Sequence, residues 1–184
     1  MKTNSRESII WKSNVALRLL ISFFGTSKKF YEKQVHERTG ISLGAANKYL
    51  KLLSGEKYLL LEKQGKMNFF QLNRDNSIVK CLKVSYSMSL PIVSCLRVLG
   101  KKLEIKLYLY GSVARGEDDE NSDWDILVIG DVNINKLESE MSRVRKKSNK
   151  KISLTIFKKN EWLKLPDEDP ALYERIEKDR IELV

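Results

Sequence analysis

Apolar positions recur at helical spacing over residues 8–24, where Trp11, Val15, Leu19 and Phe23 fall at four-residue steps beside Ala16, Leu20 and Phe24. That is the broad stripe of a core helix, and it predicts a first helix ended by Gly25. Residues 30–39 predict a short second helix. In TGIS a glycine turn at Gly40 precedes Ser42, an N-cap candidate for a third helix along which Leu43, Ala46, Leu50 and Leu53 share one face. Ala45, Asn47, Lys48 and Lys51 are left facing outward. YLLLEKQGKMNFFQL then reads as a hairpin, with Gly65 available for a positive-φ turn position.

Residues 77–99 read as helix on both sides of Pro91, with Ile78, Leu82 and Tyr86 at four-residue steps before it and Gly100 as the end after it. This segment is expected to link two domains or to supply a dimer contact. Beyond it, Ile105, Leu107 and Leu109 alternate with Lys106, Tyr108 and Tyr110, a half-buried strand running into Gly111-Ser112. Residues 126–129 are apolar without alternation, as in a central strand covered on both faces.

Charge divides the chain. Residues 1–80 hold 15 Lys and Arg against 6 Asp and Glu, whereas residues 81–184 hold 19 against 18, so nearly all of the net +10 lies in the first half. A basic excess of this size points to a polyanionic partner, with a lysine-rich solvated surface as the alternative. The helix order, the short turn at Gly40, the hairpin and the outward polar residues together resemble winged helix-turn-helix DNA-binding domains over about residues 8–73. The resemblance implies double-stranded DNA as partner. It makes the helix from Ser42 the recognition helix, with Asn47, Lys48 and Lys51 toward the groove and Lys63 and Lys66 on the wing. A helical domain that packs on a partner protein is the alternative.

The stretch GSVARGEDDENSDWD carries the chemistry. Gly111 lets backbone approach a ligand, Ser112 offers a hydroxyl at a helix start, and Arg115 adds a cation one turn on. Asp123 and Asp125, two apart at the start of a strand, project to one side while Trp124 points away. Two adjacent carboxylates repel unless a cation lies between them, and hard oxygen ligands suit Mg²⁺ that also touches phosphates. Gly111-Ser112, ten residues, then Asp123-x-Asp125 matches the GS-x10-DxD signature, and about residues 101–184 resemble the minimal nucleotidyltransferases of the polymerase-beta-type superfamily. The resemblance implies an NTP, ATP foremost, held by Gly111, Ser112 and Arg115. It makes Asp123 and Asp125 the catalytic ligands of Mg²⁺ or Mn²⁺ and an acceptor hydroxyl the target of NMP transfer.

Members with activity usually carry a third carboxylate on a later strand, but here KISLTIF offers Ser153 and Thr155 on one face and Ile152, Leu154 and Ile156 on the other. Glu161 lies beyond it, where KKNEWLKL reads as the start of a helix. Two functions therefore stay open: a DNA-tethered nucleotidyltransferase, or a winged-helix regulator or antitoxin whose second domain senses nucleotide or binds a toxin or other protein. The basic run SRVRKKSNKK reads as a solvated helix face, with a phosphate contact as the alternative.

The expected fold is α+β: a winged helix over 1–76, a helical connector over 77–100 and a small mixed sheet with flanking helices over 101–184. Cys81 and Cys95 are expected to be reduced core residues, with a disulfide as the alternative, and with His36 the one histidine, a structural zinc would lack ligands unless carboxylates or a second chain supplied them. The N-terminus has no signal-like apolar core and no stretch approaches about 18 apolar residues, so a cytoplasmic protein without membrane contact is expected. A homodimer fits the habit of winged helices.

Overall fold

The computed structural model describes residues 8–184. Residues 1–7, on which the reading of a signal-free N-terminus and the start of the first domain partly rest, lie outside the described residues. The chain divides into two compact units, one up to Lys80 and one from Cys81.

The first unit begins with α1 (Ile9–Lys12) and α2 (Asn14–Ile21) rather than one long helix. Ser13 is extended, at φ −142°, and its hydroxyl accepts from Ala16 N at 3.3 Å, so a side-chain cap competes successfully with helix continuation. The break takes Trp11 out of the core stripe and leaves it 65 % exposed, while Ala16, Leu19, Leu20 and Phe23 are buried. Phe30 and Tyr31 form a short strand, β1 (Phe30–Tyr31), instead of the first turn of the second helix, which is α3 (Glu32–Thr39). Gly40 ends α3 at φ 67°. Ser42 caps α4 (Leu43–Gly55), which buries Ala46, Leu50 and Leu53 but not Leu43.

Strands β2 (Leu59–Gln64) and β3 (Met67–Leu72) pair antiparallel around the turn at Gly65 and Lys66, with Gly65 at φ 59°. The sheet order is β1-β3-β2.

Helix α5 (Ser77–Met88) crosses the division between the units, and α6 (Pro91–Leu103) follows at a bend of 56°. Two expectations fail here. On α5 the buried positions are Val79, Lys83 and Ser87, one step round from Ile78 and Tyr86, which are exposed. Gly100 does not end α6. It is buried inside the helix, where an added Cβ would meet Val184 at 3.1 Å and the Ile105 carbonyl at 3.2 Å. Ile92, Val93, Leu96 and Leu99 belong to the core of the second unit, so α6 is part of that domain rather than a linker. Both cysteines are free, but Cys81 is exposed rather than in the core. Among the described residues no single helix is long and apolar enough to cross a membrane.

The second unit is built on β4 (Lys106–Tyr110), α7 (Gly111–Arg115), β5 (Trp124–Ile129), α8 (Ile134–Ser148), β6 (Ile152–Phe157), α9 (Lys159–Glu168), α10 (Pro170–Glu177) and β7 (Ile181–Glu182). The sheet runs β6-β5-β4-β7, parallel between β5 and β6 and antiparallel elsewhere. Central β5 is covered on both faces, as its unbroken apolar run requires. Trp124, Ile126 and Val128 share one core with α6 and with Leu137, Met141 and Val144 of α8. Leu127 and Ile129 share the other with Tyr108 and Ile176. The architecture is α+β, with a helical first part and a small mixed sheet in the second.

Candidate nucleotide site

Where β4 ends, the chain turns at once into α7, and Gly111 at φ 76° makes the turn. A Cβ there would lie 2.3 Å from Asp125 Oδ2 and 3.2 Å from its Cγ, so only glycine lets the turn close over the carboxylate. Tyr110, register partner of Asp125 on the neighbouring strand, completes the contact of turn and strand. Tyr110, Gly111, Ser112, Arg115, Asp125 and Arg175 line an open cavity of about 400 Å³. Gly111→Ala is expected to cost about 1–2 kcal/mol for the left-handed backbone alone and to drive Asp125 from its position. Urea unfolding measures the first effect, and loss of Mg²⁺-dependent ATP binding the second.

Asp123 is exposed, one residue before β5, and Asp125 is half-buried on the strand. The start of β5 is fixed by Trp124, whose ring is in the core and whose backbone N–H donates to the Lys151 carbonyl at 2.9 Å. Burial pushes the Asp125 carboxyl above its ordinary range, and the negative charge of Asp123 pushes it further; Arg115 and Arg175 oppose the shift. Asp125 lines the cavity and Asp123 lies exposed beside it, outside the lining, and a cation bound between the two carboxylates would relieve their repulsion. Among the described residues no group of three or more His, Cys, Asp or Glu side chains could hold a metal ion. Two carboxylates still fit Mg²⁺, which keeps waters and takes phosphate oxygens to complete its shell.

The third-carboxylate position is now explicit. Ser153 on β6 is the register partner of Asp125, and Thr155, two residues on, shares a hydrogen bond of 2.8 Å with the Tyr110 hydroxyl. On the face it shares with Asp125, β6 offers the hydroxyls of Ser153 and Thr155 and no carboxylate. Glu161 is no substitute, since its carboxylate accepts from Lys158 N at 2.8 Å and caps α9.

Arg115 lines the cavity but is already occupied. Its Nε donates to Glu117 and one terminal nitrogen to Asp179, both at 2.8 Å, and these contacts raise the guanidinium pKa above its ordinary value. Three participants carried no sequence signal. Arg175 sits on α10, fifty residues beyond Asp125. Asp179 follows the same helix. Lys83, a lysine 2 % exposed on α5, donates to the Asp118 carbonyl and lies 2.9 Å from Asp118 Oδ1. That oxygen is buried without an aligned hydrogen bond, so the ammonium charge is its compensation. The acidic loop between α7 and β5 is therefore pinned at Asp118, five residues before Asp123. In the basic run of α8, Arg143 pairs with Glu140, and Arg145 pairs with Glu138 and donates to the Ile152 carbonyl.

In the first unit the DNA-facing candidates all lie on α4 and the hairpin. Ser42 Oγ accepts from Ala45 N at 3.4 Å. Asn47 donates its amide to Glu32 at 3.0 Å, and Lys48 Nζ lies 5.4 Å from the Tyr49 ring centre. Lys51 and Lys63 line one groove of about 490 Å³ with Ser54, Gly55, Leu61 and Asn68. Lys66 is exposed at the hairpin turn.

No curated protein matches the chain. Residues 95–175, which begin within α6 and end at Arg175, match the family model described as polymerase beta, nucleotidyltransferase, and so strands β4, β5 and β6, the Gly111-Ser112 turn and both aspartates fall in a region of nucleotidyltransferase type, with β7 beyond it.

Proposed function

We propose that the protein binds double-stranded DNA through a winged helix in its first unit and a nucleoside triphosphate with Mg²⁺ in its second, where an NMP group passes to an acceptor hydroxyl. The observation that carries the second half is the closure of Gly111 over Asp125, which joins the Gly-Ser turn and the DxD strand in one cavity. Ser112 supplies a hydrogen-bond donor to phosphate, and the Arg175 guanidinium on the cavity wall favours an anion. Mg²⁺, held by Asp123 and Asp125, would neutralise phosphate charge as transfer proceeds. In the transfer the acceptor oxygen bonds to the α-phosphorus as the α–β bridge breaks, releasing pyrophosphate, and the hydroxyl proton passes to solvent. Tyr110, Gly111 and Ser112 hold the turn against which the α-phosphate is oriented.

A second reading rests on Ser153. With a hydroxyl opposite Asp125, no side chain of β6 can take the acceptor proton, and a site that binds nucleotide without turnover would serve a regulator or an antitoxin with a toxin partner. Incubation with NTPs labelled at the α-phosphate, with Mg²⁺ and cell extract, separates the readings. Label on an acceptor that the Asp123→Asn/Asp125→Asn protein fails to modify supports the enzyme, and nucleotide binding without transfer supports the regulator.

For the first unit, exposed Lys48, Lys51, Lys63 and Lys66 around α4 and the hairpin support a phosphate-contacting face. Asn47 would have to leave Glu32 to reach a base, which favours binding of low sequence discrimination through that residue. Lys48→Ala with Lys51→Ala is expected to weaken binding to mixed-sequence duplexes uniformly and to lower the slope of log affinity against log salt by about 2. An unchanged slope, read by fluorescence anisotropy at several salt concentrations, would count against α4 as the DNA-contacting helix.

A further inference from the structure

We propose that Arg175, and not Arg115, holds the terminal phosphates of the nucleoside triphosphate, an assignment that rests on the nucleotide-binding reading of the cavity. Both guanidinium groups line it. Arg115, the cation expected from the motif, sits between Glu117 and Asp179, each 2.8 Å away. The local sum over those three side chains is one negative charge, so an incoming phosphate meets a group whose donors and charge are already engaged.

Arg175 differs in its pairing. Like Arg115 it is exposed and opposes the rise in the Asp125 pKa, but it has no ion pair among the described residues. Its neighbours Leu172 and Ile176 pack against the sheet, which anchors the helix while leaving the guanidinium on the cavity side. A fork of N–H donors facing an open polar cavity matches phosphate oxygens, and a flexible exposed cation costs nothing to unpair before it binds. Arg115 instead positions: its bridge to Asp179 ties α7, and with it Gly111 and Ser112, to the chain just beyond α10.

Isothermal titration of the full chain in Mg²⁺ with ATP and with AMP tests the assignment. Arg175→Ala is expected to weaken ATP about 10- to 100-fold, as loss of a charged contact does, and to leave AMP within about twofold. Arg175→Lys should recover part of the ATP affinity, since it restores the charge without the fork. Arg115→Ala should weaken ATP and AMP alike and lower the melting temperature. The assignment is overturned if Arg175→Ala binds ATP as the parent does, if it weakens ATP and AMP equally, or if the ATP-selective loss appears in Arg115→Ala. A parent protein that binds neither nucleotide overturns the nucleotide reading itself and the assignment with it.

Discussion

Replacing Asp123 and Asp125 together by Asn is expected to abolish Mg²⁺-dependent ATP binding, beyond about 100-fold, while DNA affinity stays within about twofold. The magnitude follows from two lost ionic ligands, each worth at least the about 1.5–3 kcal/mol of a charged contact. The loss should come without unfolding. Burial and Asp123 hold the Asp125 carboxyl above its ordinary pKa, so the ionised form is disfavoured by the fold. A carboxyl with a raised folded-state pKa contributes stability that is complete below its unfolded pKa and disappears as pH rises through the folded one. Asn imitates the protonated form at every pH. Asp125→Asn should therefore melt higher than the parent at pH 7 and with the parent at pH 3, a pattern that thermal unfolding at the two pH values checks. A lower melting temperature at pH 7 would mean that Asp125 is structural, and loss of DNA binding in parallel would contradict the separation of the two functions.

Lys83→Ala is expected to destabilise the second unit by about 3 kcal/mol in urea unfolding, the low end of the range for breaking a buried ion pair. The low end applies because Asp118 retains 17 % side-chain exposure, so some water reaches the charge left behind. The same variant loosens the loop that leads to Asp123, and ATP affinity should fall with stability. Lys83→Met combined with Asp118→Asn should recover most of the stability, because it removes the orphaned charge while keeping the packed stem. A Lys83→Ala protein as stable as the parent would show that the ammonium is not buried in solution.

These two sites differ in how far the sequence discloses them. The Gly-Ser turn, the DxD strand and the central apolar strand are local patterns: alternation, an uninterrupted run and a glycine each report their own surroundings. Lys83 is opaque for the opposite reason. Periodicity assigns α5 its apolar stripe through Ile78 and Tyr86 on the assumption that charges face water, but an acidic group 35 residues downstream draws the lysine inward. Arg115 and Arg175 exchange prominence by the same logic, since Asp179 and Glu117 engage the cation that the motif displays.

The break at Ser13 is of another kind. The serine caps a new helix, a contact worth about 1 kcal/mol, and the restart at Asn14 turns Trp11 off the buried stripe. Two-residue strands such as β1 and β7 leave no periodic trace at all. Gly100 reads as a helix end from composition alone, and only the approach of Val184 and Ile105 explains it inside α6.

The most direct test of the account is titration of the purified protein with ATP in Mg²⁺ and again in EDTA, by calorimetry. Saturable binding at one site per chain in Mg²⁺, lost in EDTA and in the double Asn variant, is the predicted result. Absence of binding in Mg²⁺, or equal binding in EDTA and in the variant, would contradict a nucleotide site built from Gly111, Ser112, Asp123 and Asp125.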